Sequence, residues 1–479
     1  MRCKSALIIV PHPDDEINLA GGLFDILREN GVYTTVVICT NGDFLNEKTT
    51  KRYYEAKRTQ KIFKYDELVF LGYGDGYVGT HIYDAVSNVV VESRAGYKET
   101  YCAGDENEFC FIRTGRHNPY TRESFKNDIR DVILTKQADL VVCVDLDKHP
   151  DHRCISLLFD ECMGEILKSN SSYRPVILKG FAYNGVWLGP YDFFDTPIKP
   201  TRILLKKGET IREKCFPHDW NQRIQIKNGE KTQTLKLWNN PIFKALCAQK
   251  TQNDYKYGYC ALNHFPRLAN PDSCYWYRSP FNLALSAQME VSSGDAHYLN
   301  DFMLAVPEKT IADDLCNCSK GWCPALHDKQ PTIALQFPKP VSLSRIVIYQ
   351  NCNSTLGSLT IRLNNGFETE FQCPQNNVVI IQLPPVPAER LTMQIASFSN
   401  LTINEIECYE SGNVFPWDDV PFTKYENHAT TRNKLFAFLT EYSFKAFVRM
   451  VKRNSQTTDF TDFTEEKHVF LLAFRSLFR

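Results

Sequence analysis

The sequence has no apolar run of 18 residues, so a helix that spans a bilayer is not expected. It also has no excess of either charge. Lys and Arg number 55 against 56 Asp and Glu, a formal net charge of −1, which supplies no general pull toward nucleic acid. No export signal is read at Met1-Arg2-Cys3-Lys4, because the apolar run behind it is too short and wrongly flanked. Zinc-finger spacing is missing as well: Cys316, Cys318 and Cys323 lack a fourth ligand at the usual interval. Incidental thiols or a local disulfide remain open for these three. The chain is not short of cysteine, with 17 in all, but Cys39, Cys143, Cys154, Cys162 and Cys247 lie inside apolar runs where thiols act as small hydrophobes. The expectation is mostly reduced cysteine and a cytoplasmic protein.

Hydrophobic residues make up 43% of the 479, enough for a sizeable core, and the length suggests roughly two to four domains. Residues 6–10, Ala-Leu-Ile-Ile-Val, form a β-branched run that reads as a strand buried on both faces. The run breaks into Pro11, His12, Pro13, Asp14, Asp15 and Glu16, followed by a helix-like stretch over 17–27 in which Gly21 and Gly22 allow close packing. Crowded carboxylates repel one another unless a cation holds them, and a metal is the simplest such cation. A solvated turn with acids at a helix N-terminus is the plainer alternative. A second buried strand over 138–144 weighs against it, because this strand runs into Asp145, Asp147, His149, Pro150, Asp151 and His152. Two strands of an open sheet then end in His/Asp clusters at the edge where such sheets place ligands. Helices expected over 123–136 and 153–168 complete a βαβα order and a mostly parallel sheet with helices on both faces. Residues 77–120 show no clean periodicity and read as a long loop, which either covers a site or is disordered.

The motif from Pro11 to Glu16, with Gly21-Gly22, Thr40-Asn41-Gly42-Asp43, Arg52 with Glu55, residues 70–76 and residues 147–152, resembles the PIG-L/LmbE-like zinc-dependent N-deacetylases. The resemblance implies a Rossmann-like fold and hydrolysis of an N-acetyl group from an amino sugar of the N-acetylglucosamine type. Catalytic zinc takes about three nitrogen or oxygen ligands and leaves a position open. His12, Asp15 and His152 would supply that set, and the family implies the same three. Metal-bound water is then the nucleophile, Asp14 suits the general base, and a protonated His149 would stabilise the oxyanion. Asp151 would orient His149 and raise its pKa. An amidase of another acylated conjugate and a non-catalytic glycan-binding protein are the alternatives. Asn41 and Asp43 are candidates for support of the site, and Arg94, Arg113, Arg116 and His117 for contact with phosphate or sugar hydroxyls.

Residues 1–302 are expected to form the deacetylase domain, and 303–411 a second domain. There, short alternating runs recur at roughly the 8–12-residue spacing of an antiparallel sandwich. Residues 344–349 and 401–409 resemble the discoidin-like, galactose-binding-like sandwich, which implies either glycan binding or packing. A helical segment is expected over 412–479. Leu435, Phe438, Leu439, Tyr442, Phe447 and Val451 fall at roughly helical spacing among six basic residues. Such a helix can dock its apolar stripe on the protein, pair with another subunit, or make peripheral contact with an anionic membrane.

Overall fold

The computed structural model describes residues 3–410 except 45–48, 77–80, 171, 184–186, 189–201, 204–207, 209, 234–238, 253–267, 269–271 and 311–314. The expected C-terminal helix and its membrane contact lie outside the described residues. Among these residues no helix is long and apolar enough to cross a membrane.

The first sheet is α/β. Its opening strand β1 (Ser5–Val10) leads into helices α1 (Asp15–Ala20) and α2 (Phe24–Glu29). Next come β2 (Tyr33–Thr40), α3 (Thr49–Phe63) and β3 (Glu67–Tyr73). After α4 (Phe109–Thr114) and α5 (Arg122–Lys136), the chain enters β4 (Leu140–Val144), α6 (Pro150–Ser169) and β5 (Val176–Gly180). These five strands pair in parallel in the order β3-β2-β1-β4-β5. Connections reverse direction between β1 and β4, and the crevice outside their carboxyl ends is where doubly wound sheets bind ligands. β1 and β4 are almost wholly buried, as their continuous apolar runs require.

One expected helix is two. The 17–27 stretch breaks at Gly21-Gly22, and the glycines do bring a neighbour close: a Cβ on Gly22 would lie 2.2 Å from the Asn228 side chain. The rest of this half contributes a minor pair, β6 (Trp187–Leu188) with β7 (Arg202–Ile203), then α7 (Ile211–Cys215) and α8 (Pro241–Ala248). It also adds β8 (Ile224–Lys227) and β9 (Asp272–Arg278), which extend the main sheet antiparallel beyond β5.

The second half is antiparallel, in the order β10-β13-β16-β14-β15 with β17 on β13. Its strands are β10 (Gln288–Val291), β13 (Thr332–Gln350), β14 (Thr355–Leu363), β15 (Glu368–Gln372), β16 (Val378–Ser399) and β17 (Ile403–Glu410). A short pair, β11 (Val306–Pro307) with β12 (Ser319–Lys320), falls between β10 and β13. Four of the expected short strands merge into two long ones. Pro338 and Pro340 fall where β13 shifts register between Gln336 and Val341, so there the prolines bend a strand instead of ending it. β10 pairs with β13 across the expected border at residue 302.

Cys316 is bonded to Cys352, with Cα atoms 5.5 Å apart, so its partner lies in the second half and not among its close neighbours in sequence. The pair sits in an apolar cluster with Leu146, Leu157, Phe216 and Met303, which joins the two halves. Cys323 is free and exposed.

The seam is otherwise polar and buried. Arg212 donates to Asn377 Oδ1 at 2.6 Å and to the carbonyls of Asn351 and Ser354 at 2.8 and 2.7 Å. Thr310, fully buried, touches two separate parts of the α/β half. Its carbonyl accepts from Arg153 at 3.1 Å, while its hydroxyl donates to Asp84 at 2.8 Å. Glu405 accepts from the amides of Asp301 and Phe302 at 3.0 and 3.2 Å. Burial pushes Asp301 up to about 7 from 3.8. Burial, with Asp301 and Glu407 beside it, raises Glu405 well above its usual range. A raised acid is protonated in the folded state, so its share of stability is full below 3.8 and is lost as pH climbs through about 7. Thermal unfolding of Asp301→Asn should therefore fall less steeply than wild type across that window. Parallel pH profiles would show that Asp301 does not titrate this way.

Candidate metal centre

The turn after β1 is fixed from behind. Thr40, at the end of β2, donates its amide and hydroxyl to the Pro11 carbonyl at 2.8 and 3.0 Å. Arg52 on α3 reaches the Pro13 carbonyl at 2.7 Å and the Asp14 carboxylate at 3.0 Å. Asp14 has φ 122°, a conformation that costs an L-residue energy unless its surroundings hold it. Arg52 is that hold. It lies against Gly42, where a Cβ would come within 2.5 Å of the guanidinium.

The Asp15 carboxylate stands between two imidazoles. Its Oδ2 is 2.9 Å from His12 Nδ1 and 3.2 Å from His152 Nε2. The far nitrogen of each ring is tied to another carboxylate: His12 Nε2 lies 3.2 Å from Asp151, and His152 Nδ1 lies 2.7 Å from Asp147. All of these groups are buried. Carboxylate-backed histidines with near nitrogens aimed at one point form the arrangement that orients metal ligands. His152 Nε2 supports the fit, because it is buried and makes no properly aligned hydrogen bond although Asp15 is close. Charge supports it too. Burial disfavours a cationic His12, yet Asp75, Asp15 and Asp151 overcome that and raise its pKa well above the usual value. Burial is likewise outweighed at His152 by Asp147 and Asp15, which push it up to about 10. The carboxylates demand positive charge here, and a divalent cation would supply it.

His149 caps α6 and packs against both rings, with centroids 4.9 Å from His12 and 4.7 Å from His152. Ligand atoms of His12, His149 and His152 all lie within 4.8 Å of one another, so the three histidines also form a possible metal-holding group. The Asp151 amide donates to His149 Nδ1 at 3.2 Å, which leaves the ring proton of the neutral form on Nε2. A protonated nitrogen donates and does not ligate.

Two expectations change at this point. Asp151 does not chiefly serve His149, from whose Nδ1 its carboxylate lies 3.7 Å away. It accepts instead from His12, His81 and the Gly76 amide. Nor is His149 held protonated: burial and the neighbouring His12 and His152 push it down to about 4, outweighing Asp151. Burial raises Asp14 to about 7 against the pull of Arg52, and raises Glu16 to about 8.

The supporting candidates divide. Asn41 donates to the Gly72 and Tyr101 carbonyls, and Asp43 accepts from the Asp75 amide and the Tyr101 hydroxyl. Both hold the loop that presents Asp75, whose carboxylate is 4.0 Å from His12 Nε2. Arg94 is exposed and lies over the Phe44 ring, Arg113 pairs with Asp131, Arg116 is exposed, and His117 pairs with Glu108. The structure adds His81 and Tyr183, which the sequence had not singled out. The Tyr183 ring lies 4.7 Å from that of His152, and its amide donates to Asp147 at 2.9 Å.

Residues 7–163 match the family described as PIG-L, GlcNAc-PI de-N-acetylase. No curated protein matches the chain. Among solved structures, N,N'-diacetylchitobiose deacetylase from Pyrococcus horikoshii is 21% identical with a TM-score of 0.26. That match covers 37% of this chain and 60% of the deacetylase, so the chain spans less than two thirds of its length. The family 32 CBM of Clostridium perfringens NanJ, in complex with galactose, is 18% identical with a TM-score of 0.22, covering 27% of this chain and 98% of the module. The family 32 carbohydrate-binding module of Streptococcus pneumoniae EndoD is 13% identical with a TM-score of 0.22, covering 27% of this chain and 99% of the module.

Proposed function

We propose that this chain hydrolyses the N-acetyl group of an N-acetylated amino sugar of the GlcNAc type, with zinc held by His12, Asp15 and His152. The observation that carries the reading is a coincidence of place. Every residue of the His/Asp centre falls within 7–163, the stretch that matches a de-N-acetylase family. Zinc bound there would acidify water and polarise an amide carbonyl.

The chain's own groups do the rest. Asp14, one residue from Asp15 and held by Arg52, accepts the proton that water gives up and later returns it to the departing amine. His149, its Nδ1 taken by the Asp151 amide, keeps an Nε2–H and, as a neutral imidazole, donates a hydrogen bond to the oxygen that gathers charge. Asp147 fixes the ring of His152, and the Tyr183 ring beside His152 and His149 narrows the space open to water. The antiparallel half contributes a brace through Asn377, which accepts from Arg212, and through Thr310.

Acetate release from a panel of N-acetylated sugars, free or linked to lipid or nucleotide, tests the activity, with metal content measured alongside. Stoichiometric zinc should be present, lost in His152→Ala and kept in His149→Ala. Loss of zinc in His149→Ala would place that residue in the ligand set. Metal-loaded protein that releases no acetate from any substrate would sink the reading.

A further inference from the structure

We propose that His81 is a positioning residue of this centre, fixing the His12 ring through Asp151. The proposal rests on the metal reading above. Besides His81, Asp151 lies near two imidazoles, 3.2 Å from His12 Nε2 and 3.7 Å from His149 Nδ1, and it occupies the first turn of α6 beside His149. By chain position alone it would serve His149. Two donors pull it the other way. His81 Nε2 lies 2.9 Å from Asp151 Oδ1, and the Gly76 amide lies 3.1 Å from both oxygens.

The tautomer of His81 follows from its other contact. Its Nδ1 accepts from the Tyr83 amide as the cap of the short helical turn Ile82–Asp84, so Nε2 carries the proton and donates. His81 is almost wholly buried and its turn is itself anchored, because Asp84 takes hydrogen bonds from the Thr310 amide and hydroxyl. A carboxylate behind a ligand histidine sets ring orientation and basicity only when it is itself held in place. His81 supplies that restraint and thereby decides which of the two histidines Asp151 serves.

The test uses full-length protein and zinc alone. Zinc affinity is measured by competition with a chromophoric chelator for wild type, His81→Ala, His81→Gln, Asp151→Asn and the His81→Ala/Asp151→Asn double variant. Thermal unfolding of the metal-stripped proteins is followed in parallel. His81→Ala should bind zinc roughly 10- to 100-fold more weakly, the usual cost of losing such a partner. His81→Gln, whose side-chain amide can still donate, should recover part of that loss. The double variant should be no weaker than Asp151→Asn alone, because residues acting through one another do not add. Unchanged affinity in His81→Ala, additive losses, or no recovery in His81→Gln would each overturn the proposal, the melts serving only to show that each metal-stripped variant is folded. A wild type that takes up no zinc removes the metal reading and this one with it. A wild type that binds zinc but releases no acetate refutes the deacetylase alone and leaves the comparison standing.

Discussion

Asp14→Asn is expected to retain zinc and to lower kcat by roughly 10²-fold or more, the usual contribution of a positioned general base. The substitution keeps shape and removes the proton acceptor, and the φ of 122° is a backbone feature that asparagine tolerates better than most residues. Arg52 would remain bonded to the Pro13 carbonyl, so the turn should hold. Zinc content and steady-state kinetics on a small N-acetyl sugar distinguish the cases. Normal turnover with full metal would show that another group takes the proton. Loss of both metal and activity would show that Asp14 supports the ligands and not the chemistry.

The second large effect is expected at the seam. Arg278 is 1% exposed, with its guanidinium over the Phe302 ring and Nη2 at 2.9 Å from the Phe302 carbonyl. Its charge partner is Glu407, 3.4 Å away, which also accepts from the hydroxyls of Tyr349 and Tyr409 at 3.2 and 2.9 Å. Removing one member of a buried pair leaves an uncompensated charge, at a cost of about 3–5 kcal/mol. Glu407→Ala should therefore lose stability on that scale in denaturant unfolding. Arg278→Met combined with Glu407→Gln should recover much of it, because buried pairs often yield to apolar substitutes at little cost. A Glu407→Ala protein as stable as wild type would mean that water reaches Arg278.

Much of the α/β half was legible because its signals are local. A continuous β-branched run that ends in His12 to Glu16, and another that ends in Asp145 to His152, place their side chains at the same sheet edge once the strands are parallel. His12 and Asp15 lie three apart, a spacing that lets side chains meet, and they do. The closer partners of Asp151 were hidden for the same kind of reason. Asp151 is two positions from His149, a spacing at which helical side chains point to different sides. Only tertiary structure could supply His12 and His81 in its place. His81 itself lies in a stretch with no periodicity, and its partner is 70 residues away. The merged strands β13 and β16 were hidden by their prolines, which mark a boundary in most strands and a bend in these.

Thr310 ties the two sides of the crevice together from far along the chain. It stands 157 residues after Arg153 and 226 after Asp84, the two contacts through which it steadies the His152 and His81 sides of the crevice. Contacts between such distant parts of a chain form late, after the local pairings that bring them together. During synthesis the parallel sheet and both His/Asp clusters leave the ribosome well before this threonine does. The nascent α/β half therefore passes through a period with its His/Asp clusters made and the Thr310 contacts still unmade. A metal offered to the incomplete polypeptide would then meet a looser set of histidines and carboxylates than the finished protein presents.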